Sequence, residues 1–567
     1  MLRGGCSRIM FAFVAMLVAL MAGASLPAFA QISQSDAPGR ERDRFTEPVA
    51  PRAQPGGVAI ALPSSVAPPG ADRTALKLLR VVVLGSTVYR PEEFVPLYAD
   101  LVGKVITLQA AYDIAARITA KYGADGYVLS RAIIPPQELS PNGASLRIQI
   151  VEGFVDQVIW PAAVSKYRDF FSYYTKQITA ERPSNIKTIE RYLLLAGDLP
   201  GLKFKNALKP SASQQGAATL IVEVTEKPID AIARIDNRGT QSRGPYQPFT
   251  SITANNLLRI HDAFTVTYAG VLPQPRELYY GYGQYRSVLS PEGLSAFING
   301  SYGQGRPGEP VPPLLKYKTL STVLEAGASY PFIRQRERNL STTVLGFASQ
   351  SRSDILDSLN QDIYLRGVRV KVDADAADSL AGINQFNFVA SQGIDGAGAK
   401  ALGLVNSNAR LDFTKFEATF TRSQPLFAQF SALFAAYGQY AVNPLFSPEQ
   451  CGYGGRVFGR AFDPSQFLGD SCALVLGELR YDIPIGLKDI TQLQLYGFAD
   501  FGWLHNIAPL PGTFTNVDAA SAGGGIRFSL QSPFSTFGSL SADLSAAKAI
   551  EGPRDDWRFF FIVTGRY

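Results

Sequence analysis

Two short stretches near the C-terminal end carry residues able to make a strong polar contact. Gly459-Arg460-Ala461-Phe462-Asp463 lies in a long stretch bearing Gly and Pro, 443–470, which reads as a loop. Phe498-Ala499-Asp500-Phe501-Gly502 lies in a segment with a period of two. Gln492, Gln494, Tyr496, Phe498 and Asp500 share one face; Leu493, Leu495, Gly497, Ala499, Phe501 and Trp503 share the other. One polar and one apolar face suit a strand with lipid on one side and a wet interior on the other. Asp500 is then expected to point into a barrel lumen, where Arg460 folds in from the loop and pairs with it. An Arg–carboxylate pair is directional and often bidentate. In a partly solvated lumen it is expected to contribute about 1–3 kcal/mol, enough to hold a loop and weak enough to release it. The alternative is that Arg460 faces lumen water and Asp500 pairs with another base such as Arg480.

Little else in the chain suggests catalysis. His261 and His505 are its two histidines, and both fall at expected strand ends. No Ser/His/acid constellation and no phosphate-cradling Gly-rich loop is visible. No enzyme activity, cofactor or metal site is expected.

The elements that must position Arg460 and Asp500 follow from composition. The chain has 567 residues, enough for several domains, with 46% hydrophobic, 18% charged and 11% aromatic residues and 51 glycines. After the first thirty residues no apolar run is long enough for a membrane helix, and the mix suits a β-barrel with aromatic girdles. The formal net charge of +6 is nearly balanced for this length and carries no nucleic-acid footprint.

Residues 1–30 read as a secretory signal: Arg3 and Arg8, an apolar core, then Ala28-Phe29-Ala30 as the cleavage site. Cys6 leaves with it. Cys451 and Cys472 remain and flank the arginine loop. An exported chain with two such cysteines is expected to join them, closing a loop of about twenty residues for about 3 kcal/mol; two free thiols are the alternative.

Residues 31–72 are rich in Pro, Gly and Ala and read as a leader and linker. The patch Arg40-Glu41-Arg42-Asp43-Arg44 allows a short helix and is expected to be solvated, because the Pro and Gly around it disfavour a long one; a helix that enters the barrel is the alternative. Two units with the same element order follow, at 73–153 and 154–228. In the first, 78–84 reads as a strand, 91–101 and 107–122 as helices, and 127–134 and 146–151 as strands. Thr107 is placed to cap the second helix and Gly123 to end it. In the second, 155–160 is a strand, 164–178 and 184–196 are helices, and 202–208 and 219–224 are strands. Two tandem β-α-α-β-β modules are expected.

From 229 to 567 the helical period is gone, and about sixteen strand-length segments alternate with turns, an even count that suits a bacterial barrel. The chain ends Trp557-Arg-Phe-Phe-Phe-Ile-Val-Thr-Gly-Arg-Tyr567, with Trp557, Phe559, Phe561, Val563 and Tyr567 on one face. Such an aromatic ending fits a closing strand, and is of the type that the outer-membrane barrel-assembly machinery recognises.

With these parts assembled, the chain resembles the outer-membrane transporters of two-partner secretion, the hemolysin secretion/activation type, which share a superfamily with the central barrel-assembly protein. Pro135-Pro136-Gln137 followed by the strand ending at Glu152-Gly153 resembles a periplasmic polypeptide-transport-associated (POTRA) module. Asp236-Asn237-Arg238-Gly239 resembles the first barrel strand. Gly459-Arg460-Ala461-Phe462 is similar to the superfamily's Val-Arg-Gly-Phe/Tyr loop motif, with Gly459 in place of valine and Ala461 in place of glycine. Phe498-x-Asp500-x-Gly502 matches the strand motif letter for letter.

The resemblance implies a pore in the bacterial outer membrane. It would catch an unfolded partner exoprotein, of adhesin or hemolysin type, on periplasmic modules and pass it outward. Barrel assembly or insertion is the alternative function; two modules rather than a longer array favour secretion. Implied partners are the exoprotein, outer-membrane lipid and, during biogenesis, the assembly machinery, with no nucleic acid.

Overall fold

The computed structural model describes residues 34–45, 50–56, 67–211, 213–487, 489–509, 513–531, 538–553 and 555–567. The expected signal sequence, residues 1–30 with Cys6, lies outside the described residues.

The first module lays out a four-stranded sheet in the order Val105–Thr107, Ala75–Leu84, Ala144–Val151, Arg131–Ile133. The helix Leu108–Ala124 packs Ile114, Ile118 and Tyr122 onto it. Thr107 caps this helix, its side chain accepting from the Ala110 N–H at 3.2 Å. The expected helix over 91–101 is instead two 3-10 turns, Pro91–Leu97 and Ala99–Leu101, with Pro96 inside the first; proline cannot donate the bond a longer helix needs there.

The second module repeats the order on a three-stranded sheet, Phe154–Ile159, Ala217–Glu226, Leu202–Pro210. In both modules the first strand runs parallel to the last, and the middle strand runs antiparallel to it. The helices Arg168–Ala180 and Ile186–Gly197 cover one face, closing a core of Val155, Phe171, Tyr174, Ile178, Leu195 and Leu220.

The barrel has sixteen long antiparallel strands, from Ile229–Asp236 to Trp557–Arg566. A short extra strand, Lys400–Gly403, pairs on Ser358–Ala377 beyond the end of Ile383–Gly393. The last strand closes on the first from Ile562↔Asp236 to Arg566↔Ile232. Asn237 extends this seam with its side chain, accepting from the Phe561 N–H at 2.8 Å and donating to the Phe559 carbonyl at 2.9 Å. Along Ile490–His505 the expected faces are seen: Gln494, Tyr496, Phe498 and Asp500 are buried, whereas Leu495, Phe501 and Trp503 are exposed.

The second module sits against the hairpin turns at one mouth of the barrel. Glu292, in one turn, accepts hydrogen bonds from Tyr173 (2.8 Å), Tyr192 (2.9 Å) and Arg191 (2.8 Å). Asp198 of the module takes both arms of Arg334 at 2.7 and 2.8 Å. His261 lies between the rings of Tyr167 and Phe170, with centroids at 4.5 and 4.2 Å.

Candidate functional site: a loop and a leader inside the barrel

The strands Phe430–Ala441 and Ser471–Asp482 are neighbours, and the long stretch between them turns back into the lumen. Its base is a small hairpin, Cys451–Tyr453 paired with Phe467–Gly469. Cys451 stands in this hairpin and Cys472 in the adjoining barrel strand; their sulfurs meet, with Cα atoms 6.5 Å apart, inside the range that a disulfide spans.

The tip is built around Asp500. Its carboxylate accepts from the Tyr453 hydroxyl (2.6 Å), the Ser521 hydroxyl (2.7 Å), the Gly459 N–H (3.0 Å) and the Arg460 N–H (3.3 Å). Four donors on a buried carboxylate replace the water it has lost. Gly459 holds φ at 70°, so it supplies the left-handed residue of the tip; a Cβ there would lie 2.7 Å from the Gly454 nitrogen. Ala461, in the place of the motif's glycine, needs no positive φ and is fully packed. Phe462 is buried between Tyr453 and Phe467, with centroids at 5.7 and 5.4 Å. Gly502 completes the motif, because a Cβ on it would stand 2.5 Å from the Tyr453 ring.

The expected side-chain pair between Arg460 and Asp500 is corrected. Arg460 sends its guanidinium to Glu478 at 2.7 Å and stacks it over the Phe498 ring at 4.4 Å. Asp500 is already filled by hydroxyls and backbone amides, while Glu478, opposite Phe498 on the next strand, turns its carboxylate toward arginines. Glu478 is fully buried and also takes Arg480 (2.7 Å) and Arg527 (2.6 Å). The alternative of Arg480 on Asp500 is therefore not seen either. Asp463, last residue of the loop motif, pairs with Arg558 at 2.9 Å. Arg558 also donates to the Ala461 carbonyl (3.0 Å), and Arg238 to the Arg460 carbonyl (2.8 Å). Sequence reasoning missed Glu478. The available signal was a carboxylate following Leu474 and Leu476 on the inward face of Ser471–Asp482.

The second occupant is the leader. The expectation of a solvated linker around Arg40 is corrected: the lumen supplies Arg40 and Arg42 with partners, and the helix is only Glu41–Phe45, short enough for the Pro and Gly around it. Asp36 accepts from Arg243 (2.9 Å) and Ser242 (2.7 Å). Arg42 grips Glu325 of the wall with both arms, at 2.8 and 2.7 Å. Arg40 donates to the Gln450 carbonyl (2.7 Å) and the Ser465 hydroxyl (3.3 Å) of the arginine loop. Phe45 stacks on Tyr280 at 5.5 Å. Toward the mouth that carries the modules, the Gln54 N–H reaches the Arg336 carbonyl at 2.9 Å, and Arg52 lies 3.6 Å from Asp198.

At the closing strand Phe559 and Tyr567 are exposed, Phe561 is half-buried, and Phe560 turns inward beneath Arg238 at 3.7 Å.

Comparison with known proteins agrees with this architecture. Residues 216–528 match the family model for haemolysin secretion/activation protein ShlB/FhaC/HecB, and residues 76–153 match the ShlB-type POTRA domain. The outer membrane transporter CdiB of Escherichia coli O6:K15:H31 is 23% identical over 488 residues, 81% of this chain and 78% of that protein. The heme/hemopexin transporter protein HuxB of Haemophilus influenzae (strain 86-028NP) is 22% identical over 483 residues, 82% of each. The solved structure of CdiB from Escherichia coli superposes with a TM-score of 0.67 at 19% identity, covering 94% of this chain and 96% of that one. CdiB from Acinetobacter baumannii gives 0.58 at 14%, covering 99% and 97%. At these identities the structural likeness speaks to the fold. The chain belongs to the haemolysin secretion/activation protein ShlB/FhaC/HecB family of two-partner secretion, transporters rather than enzymes, with a barrel in the bacterial outer membrane, POTRA modules in the periplasm and a partner protein as cargo.

Proposed function

We infer that the periplasmic modules bind an unfolded exoprotein of adhesin or hemolysin type and that the barrel passes it to the cell surface or medium. The observation that carries this reading is the double occupancy of the lumen. The loop is locked by Asp500 through backbone and hydroxyl contacts, whereas the leader is held mainly by ion pairs such as Arg42–Glu325 and Asp36–Arg243. A passing chain that brings its own charged groups can replace such side-chain partners one for one. The leader is thus the piece that yields, and the loop stays as part of the conduit wall. This revises the expectation that the Arg460 loop itself is released.

For capture, Leu202–Pro210 is the longest edge strand of the two modules, nine residues, with Lys203, Lys205 and Lys209 exposed. An extended client can add to such an edge by main-chain hydrogen bonds. Phe559, Phe561 and Tyr567 supply the aromatic face by which assembly machinery would take up the newly exported chain, and lipid would then cover the outward residues.

The test is comparative secretome proteomics on a deletion strain. Loss of one large β-rich exoprotein, with other outer-membrane barrels unchanged, is the expected result. An unchanged secretome with a general fall in outer-membrane barrels overturns the secretion reading in favour of barrel assembly.

A further inference from the structure

The strand Ser358–Ala377 marks where the membrane ends on one wall of the barrel. Arg369 and Lys371 face the lumenal cavity, so the alternate positions face outward. These are Val368, Val370, Val372, Ala374 and Ala376, an unbroken apolar row. Phe386 and Phe416, exposed on the next two strands, widen the band. Ala376 pairs with Arg338 at the mouth that carries the modules, so the other end of the row lies at the cell surface. Arg366 is the first charged outward residue at that end, ten residues from Ala376. At about 3.3 Å per residue and a tilt of about 40°, this separation spans about 25 Å, the height of a barrel's apolar band. Arg366 therefore stands at the headgroup level of the outer leaflet.

A second cation meets it there. Lys400, on the short strand Lys400–Gly403, lies opposite Tyr364. Its ammonium is 4.7 Å from the centre of the Tyr364 ring, and the Arg366 guanidinium is 6.0 Å from the same centre. Arg366 donates through Nη1 to the Ser349 and Leu365 carbonyls, at 3.1 and 2.8 Å. Neither cation has a carboxylate in ion-pairing distance among the described residues. The carboxylates of this rim are engaged by other groups. Asp357 takes Lys316 and Lys318 at 2.5 and 2.6 Å, and Asp354 takes Arg352 at 2.9 Å. Asp362 accepts from the Gln350 amide at 2.9 Å and the Tyr364 hydroxyl at 3.2 Å. Arg410 pairs with Asp412 at 2.6 Å and also attracts Asp395, in the turn before Lys400.

We propose that Arg366 and Lys400 together bind a phosphate of lipid A, the phosphorylated glycolipid of the outer leaflet. A guanidinium offers phosphate a fork of donors, and an ammonium adds a point charge. Tyr364 supplies the amphipathic ring that suits a membrane interface, with acyl chains lying along Val368 and Val370 below it. Paired cations at headgroup level recognise anionic lipid heads by this chemistry. The site follows from the placement of the barrel in the outer membrane and is independent of which client it exports.

The test is native mass spectrometry of the purified full-length protein, delipidated in detergent and mixed with bisphosphorylated lipid A. A specific lipid adduct is expected, about tenfold tighter than with dephosphorylated lipid A. Arg366→Gln combined with Lys400→Gln should lose about tenfold in affinity, whereas Arg410→Gln, whose side chain is already paired, should lose none. Heat-modifiable migration on gels confirms that each barrel is folded. Equal binding of dephosphorylated lipid A or of phosphatidylglycerol overturns the proposal. Displacement by millimolar inorganic phosphate overturns it as well, and so does a folded double variant that binds as tightly as the unaltered protein. Binding is measured without a client, so its loss leaves the secretion reading intact.

Discussion

The loop and the leader occupy one lumen and are held in different ways. The loop is fixed by contacts that water cannot easily replace: four hydrogen bonds on Asp500, a buried phenylalanine at its tip, Arg238 and Arg558 on its carbonyls, and two cysteines at its base. The leader is a single helical turn held mostly by side-chain charges. Buried backbone amides that lose their acceptor remain unsatisfied, whereas the leader's charged side chains can take new charged partners from a passing chain. Depth of burial alone would not have separated the two segments; the chemistry of their contacts does.

The contrast can be broken most severely at Asp500. Asp500→Ala strands four donors and is expected to cost about 3–5 kcal/mol, with loss of export and of heat-resistant barrel on gels. Asp500→Asn, which keeps acceptor oxygen, should fall between. Next comes Glu478→Gln, which leaves three guanidinium groups around a neutral amide and should cost about 3 kcal/mol. The exchange Arg460→Glu with Glu478→Arg should recover little of what each change loses, since Arg480 and Arg527 would then face a new arginine. Replacing Cys451 and Cys472 together by serine should lower loop stability by about 3 kcal/mol, seen as faster proteolysis of the 443–470 segment, with export reduced rather than abolished. On the leader, Arg42→Ala leaves the buried Glu325 to Arg369; it should loosen the leader by up to about 3 kcal/mol, leave the melting of the barrel unchanged, and raise the open fraction in single-channel records.

The smallest effect concerns the joint between module and barrel. Burial pushes the His261 imidazole down from its ordinary 6.5 to about 4, with Asp262 opposing weakly. Burial alone would raise the Glu292 carboxyl, but hydrogen bonds from Arg191, Tyr173 and Tyr192 outweigh it and hold the group below the usual carboxylate range. Both folded values lie below the unfolded ones, so docking strength is complete above about pH 6.5 and falls with acidification. His261 contributes the loss between about pH 6.5 and 4, and Glu292 contributes below its ordinary value. Amide protection in Ile186–Gly197, taken relative to the intrinsic exchange rate at each pH, should be lower at pH 5 than at pH 7.5, and His261→Phe should flatten the difference.

Much of this was legible in the residues. The period of two at 490–505 assigned both faces of the Asp500 strand, because lipid and lumen impose opposite polarities on alternate positions. The repeated element order exposed the two modules before any pairing was known. The partner of Arg460 was not legible, because Glu478 comes beside Phe498 only through the register of two strands, and that register is a property of the closed barrel. The leader misled for another reason. A charged, Pro-flanked stretch has the composition of a solvated linker, and only partners hundreds of residues away, Glu325 and Arg243, give it a defined place.

The central claim, a fixed loop beside a yielding leader, is tested most directly by crosslinking each to the wall. The pair Arg42→Cys with Glu325→Cys ties the leader, and Ala461→Cys with Ser521→Cys ties the loop. Export of the partner should stop on oxidation of the first pair, return on reduction, and continue when the second pair is oxidised. Export that survives a tied leader, or fails with a tied loop, contradicts the account.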